Sequence, residues 1–358
     1  MSEREKDQSF TKGRTSVAHI PDDWYIACRS AELRRVPLPV TLLEIPLVLF
    51  RTAAGNAAAL LDRCPHRNVP LSLGTVRGDL LECSYHGWCF DESGVCRIVP
   101  GLRSDNEERG RRVQQYPVRE SDGFVWVYAT PDVTPTRLPF TFPHVGDRRY
   151  KTICKEFRVA GSIHAVAENA LDVPHTAFLH GGLFRPTGGS ANEIEVILRR
   201  FHDRVEAEYI GEPRPSGAAG LILAPKGGTV VHFDRFILPS VAQVEYRLGE
   251  RTHFCVTSFL TPVEDLVTRL FAVVSFRLPF PGWMVSPFVK PLIMYIFRQD
   301  ARILDHQAET IMRFGGEQFV TTEIDVLGPH IQRLLRQAER GERNDVHDAV
   351  VRRVKMVI

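Results

Sequence analysis

The sequence predicts an α+β protein of two domains: a small all-β unit, then a larger unit whose antiparallel sheet is flanked by helices. Three observations support this. The first third consists of short apolar or alternating runs at 24–28, 42–51, 57–63, 79–83, 95–99 and 124–129, punctuated by Pro, Gly, Asn and Asp. A proline-rich stretch then interrupts the chain, from Pro131 and Pro135 through Pro139 to Pro143. Beyond it, strand-like runs at 194–199, 204–209, 229–236, 241–248, 253–260 and 268–278 follow one helical segment, 162–179, and precede two more, 300–314 and 329–340. Residues 262–265 are the expected hairpin turn between the last two strands. At 358 residues the chain exceeds one typical core. The expected division is a flexible polar lead at 1–20, a first domain at 21–135 and a second at 136–358.

Chemistry concentrates in two pieces of the first domain, Cys64-Pro65-His66 and Cys83-Ser84-Tyr85-His86, with sixteen residues between them. Two cysteines on one iron and two histidines on the other are the ligands of a Rieske [2Fe–2S] centre. Neutral imidazoles in place of two thiolates remove negative charge from the cluster and raise its potential. A zinc site is the competing reading, but zinc usually takes C-x2-4-C and H-x3-5-H pairs. Here each pair mixes one Cys with one His. Pro65 and Gly87 suit tight loops, and Trp88 suits a shield against water.

Residues 63–90, RCPHRNVPLSLGTVRGDLLECSYHGWCF, resemble the cluster-binding segment of the Rieske non-haem iron oxygenases, and the likeness runs over about 24–307. It implies that Cys64, His66, Cys83 and His86 hold the cluster. It also implies a helix-grip-like catalytic domain after it.

A second constellation lies at 168–180, ENALDVPHTAFLH. Asn169, Asp172 and His175 are spaced by three, so they share one face of an ideal helix. His175 and His180 are five apart, about 140° round that helix, so reaching one metal requires a break, for which Pro174 is a physical reason. Two histidines and a carboxylate on one face of an iron leave open positions for O2. The pattern N-x2-D-x2-H-x4-H resembles the family's mononuclear iron motif, which implies His175 and His180 as Fe(II) ligands. The family's third ligand is an aspartate opening a downstream helix. Residues 298–307, RQDARILDHQ, resemble that stretch and place Asp300 there, with Asp305 and Glu309 as competitors. By the same resemblance Asp172 is not a ligand. It joins His175 to His86 of a neighbouring subunit, while Asn169 lines the iron site. Glu168 reads equally as a supporting group or a surface side chain. His164, His232, His253 and His306 read as structural, with His232 or His253 able to face a substrate pocket.

Composition is that of a globular protein: 44% hydrophobic, 25% charged and a net charge of +2. That charge argues against nucleic acid as a partner. Seven cysteines without regular spacing argue against a disulfide framework and fit a reducing cytoplasm. The first sixteen residues lack the apolar core of a signal peptide. Residues 281–297 are apolar but short for a membrane span and carry Lys290 and three prolines. They read as a buried connection or a greasy substrate entrance, with membrane contact at most peripheral.

No G-x-G-x-x-G follows a strand, and no C-x4-C-x2-C appears. Electrons therefore come from a separate NAD(P)H-dependent reductase, with or without a ferredoxin. Arg63, Arg67, Arg77 and Arg97 offer a docking patch for an acidic donor. The resemblance implies a head-to-tail homotrimer. It further implies the terminal oxygenase of a multicomponent system, hydroxylating or demethylating an apolar or aromatic small molecule. Phe233, Phe236, Phe254, Phe259 and Phe276 point weakly to such a substrate. A ring cis-dihydroxylating dioxygenase is the alternative within the family. A Rieske electron carrier is the alternative outside it, and it would need little beyond the first third.

Overall fold

The computed structural model describes residues 19–102, 111–180, 192–212, 230–249, 252–342 and 350–357. Most of the expected 1–20 lead lies outside these residues. The chain forms two units, 19–141 and 142 onward, the division falling between Pro139 and Pro143.

Among its described residues the first unit holds eleven short strands: β1 (Trp24–Arg29), β2 (Leu38–Leu42), β3 (Ile45–Arg51), β4 (Ala57–Leu61), β5 (Thr75–Arg77), β6 (Leu80–Glu82), β7 (Cys89–Phe90), β8 (Cys96–Ile98), β9 (Gln115–Tyr116), β10 (Val118–Ser121) and β11 (Phe124–Tyr128). They form three antiparallel sheets ordered β1-β11-β10, β2-β3-β4-β9 and β5-β6-β7-β8. The expected single strand at 42–51 is a hairpin instead. Leu43 and Glu44 take left-handed φ of 50° and 64° between β2 and β3, a tight two-residue turn. A core of Val48, Phe50, Leu60, Leu71, Leu81 and Phe90 includes Cys64 and Cys83. The cysteine-bearing loops are therefore anchored in packed apolar side chains.

The second unit is one eight-stranded antiparallel sheet. Its strands are β12 (Lys151–Ala160), β13 (Glu193–Arg200), β14 (Arg204–Ile210), β15 (Val230–Ile237), β16 (Val241–Leu248), β17 (Thr252–Glu264), β18 (Val267–Arg277) and β19 (Val350–Val357), in the order β12-β18-β17-β16-β15-β14-β13-β19. Both edge strands, β12 and β19, escaped the sequence reading. β12 is mostly half-buried and carries four charges, which blurs its alternation. The hairpin turn is narrower than expected: β17 continues through Pro262 and Val263 with a bulge before Glu264, and only Asp265 and Leu266 turn.

Among the described residues four helices accompany this sheet: α1 (Ile163–Leu171), α2 (Thr176–Leu179), α3 (Gly282–Phe314) and α4 (Gly328–Glu339). Ser162 caps α1, its Oγ accepting from the Ala165 N–H at 3.2 Å. In α4 the spacing of buried Ile331, Leu334, Leu335 and Ala338 gives one apolar stripe. Gly328 opens α4 where a Cβ would meet the Glu168 carboxylate at 1.8 Å, so a side chain there would displace Glu168. The same approach lets His164 Nε2 donate to the Gly328 carbonyl at 3.0 Å, a structural use of that histidine.

Residues 281–297, expected to be a buried connection or a greasy substrate entrance, are helical and buried on one face only. They form the first half of α3, with Pro287 and Pro291 inside the helix. Val285, Val289, Ile293 and Phe297 recur every fourth residue and pack on Ile153, Phe254, Val256, Val274 and Phe276. The outer face exposes Trp283, Met284, Phe288 and Tyr295. No helix among the described residues is long and apolar enough to cross a membrane.

Candidate functional site

The residues expected to bind the cluster sit on two turns built alike. The Cys64 N–H donates to Val69 O at 2.9 Å, and the Asn68 N–H returns to Cys64 O at 2.9 Å. In the second turn the Cys83 N–H donates to Trp88 O at 2.8 Å, and the Gly87 N–H returns to Cys83 O at 3.0 Å. Each turn thus closes on its cysteine by the same pair of bonds, four and five residues on. The fourth residue is left-handed in both, Asn68 at φ 62° and Gly87 at φ 68°. Asn and Gly are the residues that adopt this region most readily. In the first turn Arg63 Nε also donates to Asn68 Oδ1 at 2.8 Å. In the second, a Cβ on Gly87 would lie 2.9 Å from Pro100 Cγ.

These turns present Cys64 and Cys83 buried side by side and bring the rings of His66 and His86 to 4.4 Å between centroids. Trp88 stacks flat on His66, 4.7 Å away with 4° between planes. Burial pushes the Cys64 thiol up to about 11, the Cys83 thiol adding to the effect against an opposing His66 N–H. Burial, with His86 and Arg67 adding, lowers the His66 imidazole. Its Nδ1 is buried without a hydrogen-bond partner. A neutral imidazole with an orphaned ring nitrogen beside two buried thiols fits a cluster, whose metal deprotonates the thiols it binds. The four ligands are also too spread for one ion: among the described residues, none of the tight groups suited to a single metal includes them. That disfavours zinc, which needs all four at one point.

The arginine patch near these loops is largely engaged locally. Arg63 bonds Asn68, Arg77 pairs with Glu82 at 2.7 Å and Arg97 pairs with Asp91 at 2.6 Å. Arg67 donates to the His66 carbonyl at 3.1 Å, so Arg63 and Arg67 keep their charge while Arg77 and Arg97 are paired with carboxylates.

The second constellation is assembled around a helix break. α1 ends at Leu171, and Asp172 leaves the helix at φ −89°, ψ 105°. Asp172, Val173 and Pro174 form the break, so Asp172 and His175 do not share a helix face as ideal spacing suggests. They meet instead by a local turn: Asp172 Oδ2 accepts from the His175 N–H at 3.2 Å and lies 3.4 Å from His175 Nδ1. Pro174 has no N–H to continue the helix. The one-turn α2 then separates His175 from His180 and swings both rings to the same side. Their Nε2 atoms are 3.4 Å apart.

Asp300, from the middle of α3, completes the group. Its Oδ1 lies 3.0 Å from His180 Nε2 and 3.6 Å from His175 Nε2. Three atoms so spaced have a common point about 2 Å from each, a metal–nitrogen or metal–oxygen bond length. Asp300 Oδ1 is buried and makes no hydrogen bond, so the trio fits a metal. Asp305 and Glu309 are exposed on α3, and Glu309 faces His306. Burial alone would lower the His175 imidazole, but the Asp172 and Asp300 carboxylates raise it to about 9. The same histidines hold the Asp300 carboxyl below its usual range, against the opposing effect of burial. Asn169 is half-buried on the last turn of α1.

Strand register separates the remaining candidates. His232 pairs with Tyr246, which pairs with Phe254, so these share the face that α3 covers. His253 alternates with Phe254 and faces the opposite side, bonded to Glu245 and Tyr150 at 3.0 and 2.6 Å. Phe233 and Phe259 also lie on that opposite side, while Phe254 and Phe276 stack in the core beneath α3. The five phenylalanines therefore do not line one pocket.

Sequence reading named His232 but missed the carboxylates that hold it, and missed a second group altogether. His232 is buried between the rings of Tyr209 and Tyr246, its nitrogens 2.6 Å from Glu212 and 2.9 Å from Asp234. The carboxylates raise its imidazole to about 9 against the opposing effect of burial. His232 and Asp234, two apart on an inward strand face, were the available signal. The second group is Gln299 with Tyr295, next to Asp300 in sequence.

Comparison with known proteins gives two family matches. Residues 23–117 match the Rieske [2Fe-2S] domain, and 159–341 match the vanillate O-demethylase oxygenase C-terminal domain. The chain is 30% identical over 290 residues to a 4beta-methylsterol monooxygenase of Methylococcus capsulatus, covering 76% of this chain and 73% of that protein. It is 33% identical over 194 residues to the methylxanthine N1-demethylase NdmA of Pseudomonas putida, covering 52% of this chain; it spans about half that relative's length, 54%. Among solved structures, dicamba monooxygenase bound to dicamba superposes with a TM-score of 0.75 at 22% identity, over 91% of this chain and 99% of that one. At that identity the likeness establishes the fold.

Proposed function

Because the chain belongs to the Rieske non-haem iron oxygenases, we propose that it is the terminal oxygenase of a multicomponent system. It inserts one oxygen atom of O2 into a C–H bond of an apolar or aromatic small molecule. The second oxygen leaves as water, and two electrons and two protons are consumed. Demethylation follows where the hydroxylated carbon is an O- or N-methyl group. The observation carrying this reading is the convergence of His175, His180 and Asp300 on one point, in a chain that also has the paired Cys–His turns.

When bound, the cluster supplies single electrons and the iron supplies O2 activation. The protein's residues supply position. Cys64, His66, Cys83 and His86 hold the cluster, and Trp88 covers one imidazole. His175, His180 and Asp300 would hold the iron. Asp172, beside His175 Nδ1, orients that ring with Nε2 toward the metal. We assign Asp172 the further task of reaching His86 of a second copy in a closed homotrimer. Asn169 lines the site beside it. A separate NAD(P)H-dependent reductase, with or without a ferredoxin, provides the electrons.

The names of relatives favour demethylation over ring dihydroxylation: methylxanthine N1-demethylase, dicamba O-demethylase and vanillate O-demethylase are among them. The test is incubation of purified protein with a surrogate reductase, NADH, 18O2 and a panel of methyl ethers and methylamines, read by mass spectrometry. One labelled oxygen in a stable hydroxylated product, or an unlabelled demethylated product with one equivalent of formaldehyde as the leaving fragment, supports monooxygenation. Two labelled oxygens in a cis-diol replace it with dioxygenation. Roughly three irons per chain, two of them in the cluster, are expected from metal analysis.

A further inference from the structure

The two proposed iron histidines are steadied by different chemistry. His175 Nδ1 faces a carboxylate, that of Asp172, at 3.4 Å. His180 Nδ1 faces a neutral amide, with Gln299 Oε1 at 3.0 Å. Gln299 is in turn held: its Nε2 donates to the Tyr295 hydroxyl at 3.3 Å. Residues 295 and 299 are one helical turn apart on α3, and Gln299 directly precedes Asp300.

This arrangement sets the state of His180. Its Nε2 points at Asp300 Oδ1 and His175 Nε2, the point where a metal would sit. Metal binding there requires a lone pair on Nε2, so the ring proton must reside on Nδ1. An amide oxygen can only accept, so Gln299 Oε1 selects that tautomer and fixes the ring plane. Tyr295 tethers the amide by accepting from its Nε2, and with Nδ1 protonated a flipped Gln299 would present N–H to N–H at His180. One helix thus provides a ligand, Asp300, and the residue that aims a second ligand.

We propose that Gln299, oriented by Tyr295, is the positioning residue that holds His180 in its metal-binding tautomer. The proposal rests on the reading of His180 as an iron ligand. Gln299 touches neither substrate nor O2, so its effect appears in the metal itself.

The experiment measures Fe(II) retention against a chelator, together with the EPR spectrum of the nitric oxide adduct of the loaded protein. The variants are Gln299→Leu, Gln299→Glu, Tyr295→Phe and His180→Ala. Gln299→Leu should lose about 10–100-fold in iron affinity and broaden the adduct's EPR signal. Gln299→Glu still accepts from Nδ1 and should restore retention, which also shows that loss in the leucine variant is not misfolding. Tyr295→Phe should give a smaller loss, about a few-fold. If His180→Ala keeps its full iron, the ligand reading is wrong. If His180→Ala loses iron while Gln299→Leu matches wild type in retention and EPR, the positioning role alone is overturned. Loss in Gln299→Glu equal to that in Gln299→Leu also overturns it.

Discussion

The cluster turns and the iron trio solve the same problem by opposite means. All four proposed cluster ligands lie within residues 64–86, on two turns closed by their own backbone bonds. The iron trio joins a broken helix at 172–180 to Asp300, across the whole intervening sheet. In the first site local backbone geometry places the ligands, and the core merely anchors the loops. In the second, no ligand is placed until α1, α3 and the sheet have packed. The cluster site should therefore tolerate changes that abolish the iron site.

His175→Ala tests this most severely. It should remove mononuclear iron altogether while the visible spectrum of the cluster stays intact, checked by metal analysis and absorbance. Loss of the cluster in that variant would join two sites held here to be independent. Asp172→Asn comes next. Both metals should remain, with turnover falling at least about 10–100-fold, because the amide is a weaker acceptor for the His175 ring. Wild-type turnover would remove Asp172 from the link between sites.

The pH dependence separates proton from metal at His175. Its folded pKa is raised to about 9 from 6.5 in the metal-free protein. The metal must displace that proton, so iron affinity should rise about tenfold per pH unit from 7 toward 9. The metal-free fold moves the other way. A raised imidazole stabilises fully below about 6.5, and that contribution fades as pH rises through about 9. Chelator competition and thermal melts across this range should show opposite slopes.

The smallest effect compares the two cluster turns with each other. Gly87→Ala puts a Cβ at left-handed φ and 2.9 Å from Pro100 Cγ, so a loss of about 1–2 kcal/mol in stability is expected. Asn68→Ala carries the backbone cost alone and also frees Arg63 from its bond. Denaturant melts should rank Gly87→Ala as the more damaging. The reverse order would mean that the Arg63 tether outweighs the Pro100 contact.

Much of the protein was legible in its sequence because much of its chemistry is local. The order and types of the proposed cluster ligands, with Gly87 marking the second turn, follow from short-range backbone preferences. So does the helix break, since Pro174 has no N–H to offer. Asn68, the counterpart of Gly87 in the first turn, went unread. Alternation marked the inner strands of the sheet. It failed at the charged edge strand β12 and at residues 281–297, where two prolines argued against a helix that packing on the sheet stabilises. Tertiary structure decided the rest. It chose Asp300 over Asp305 and Glu309 by turning one face of α3 toward the histidines. It sent His232 and His253 to opposite sides, because strand register is fixed by pairing partners far away in sequence. It also brought Gln299 to His180 across 119 positions. Ligand chemistry is a property of residue types and spacing, but the aim of each ligand is a property of the surfaces that pack around it.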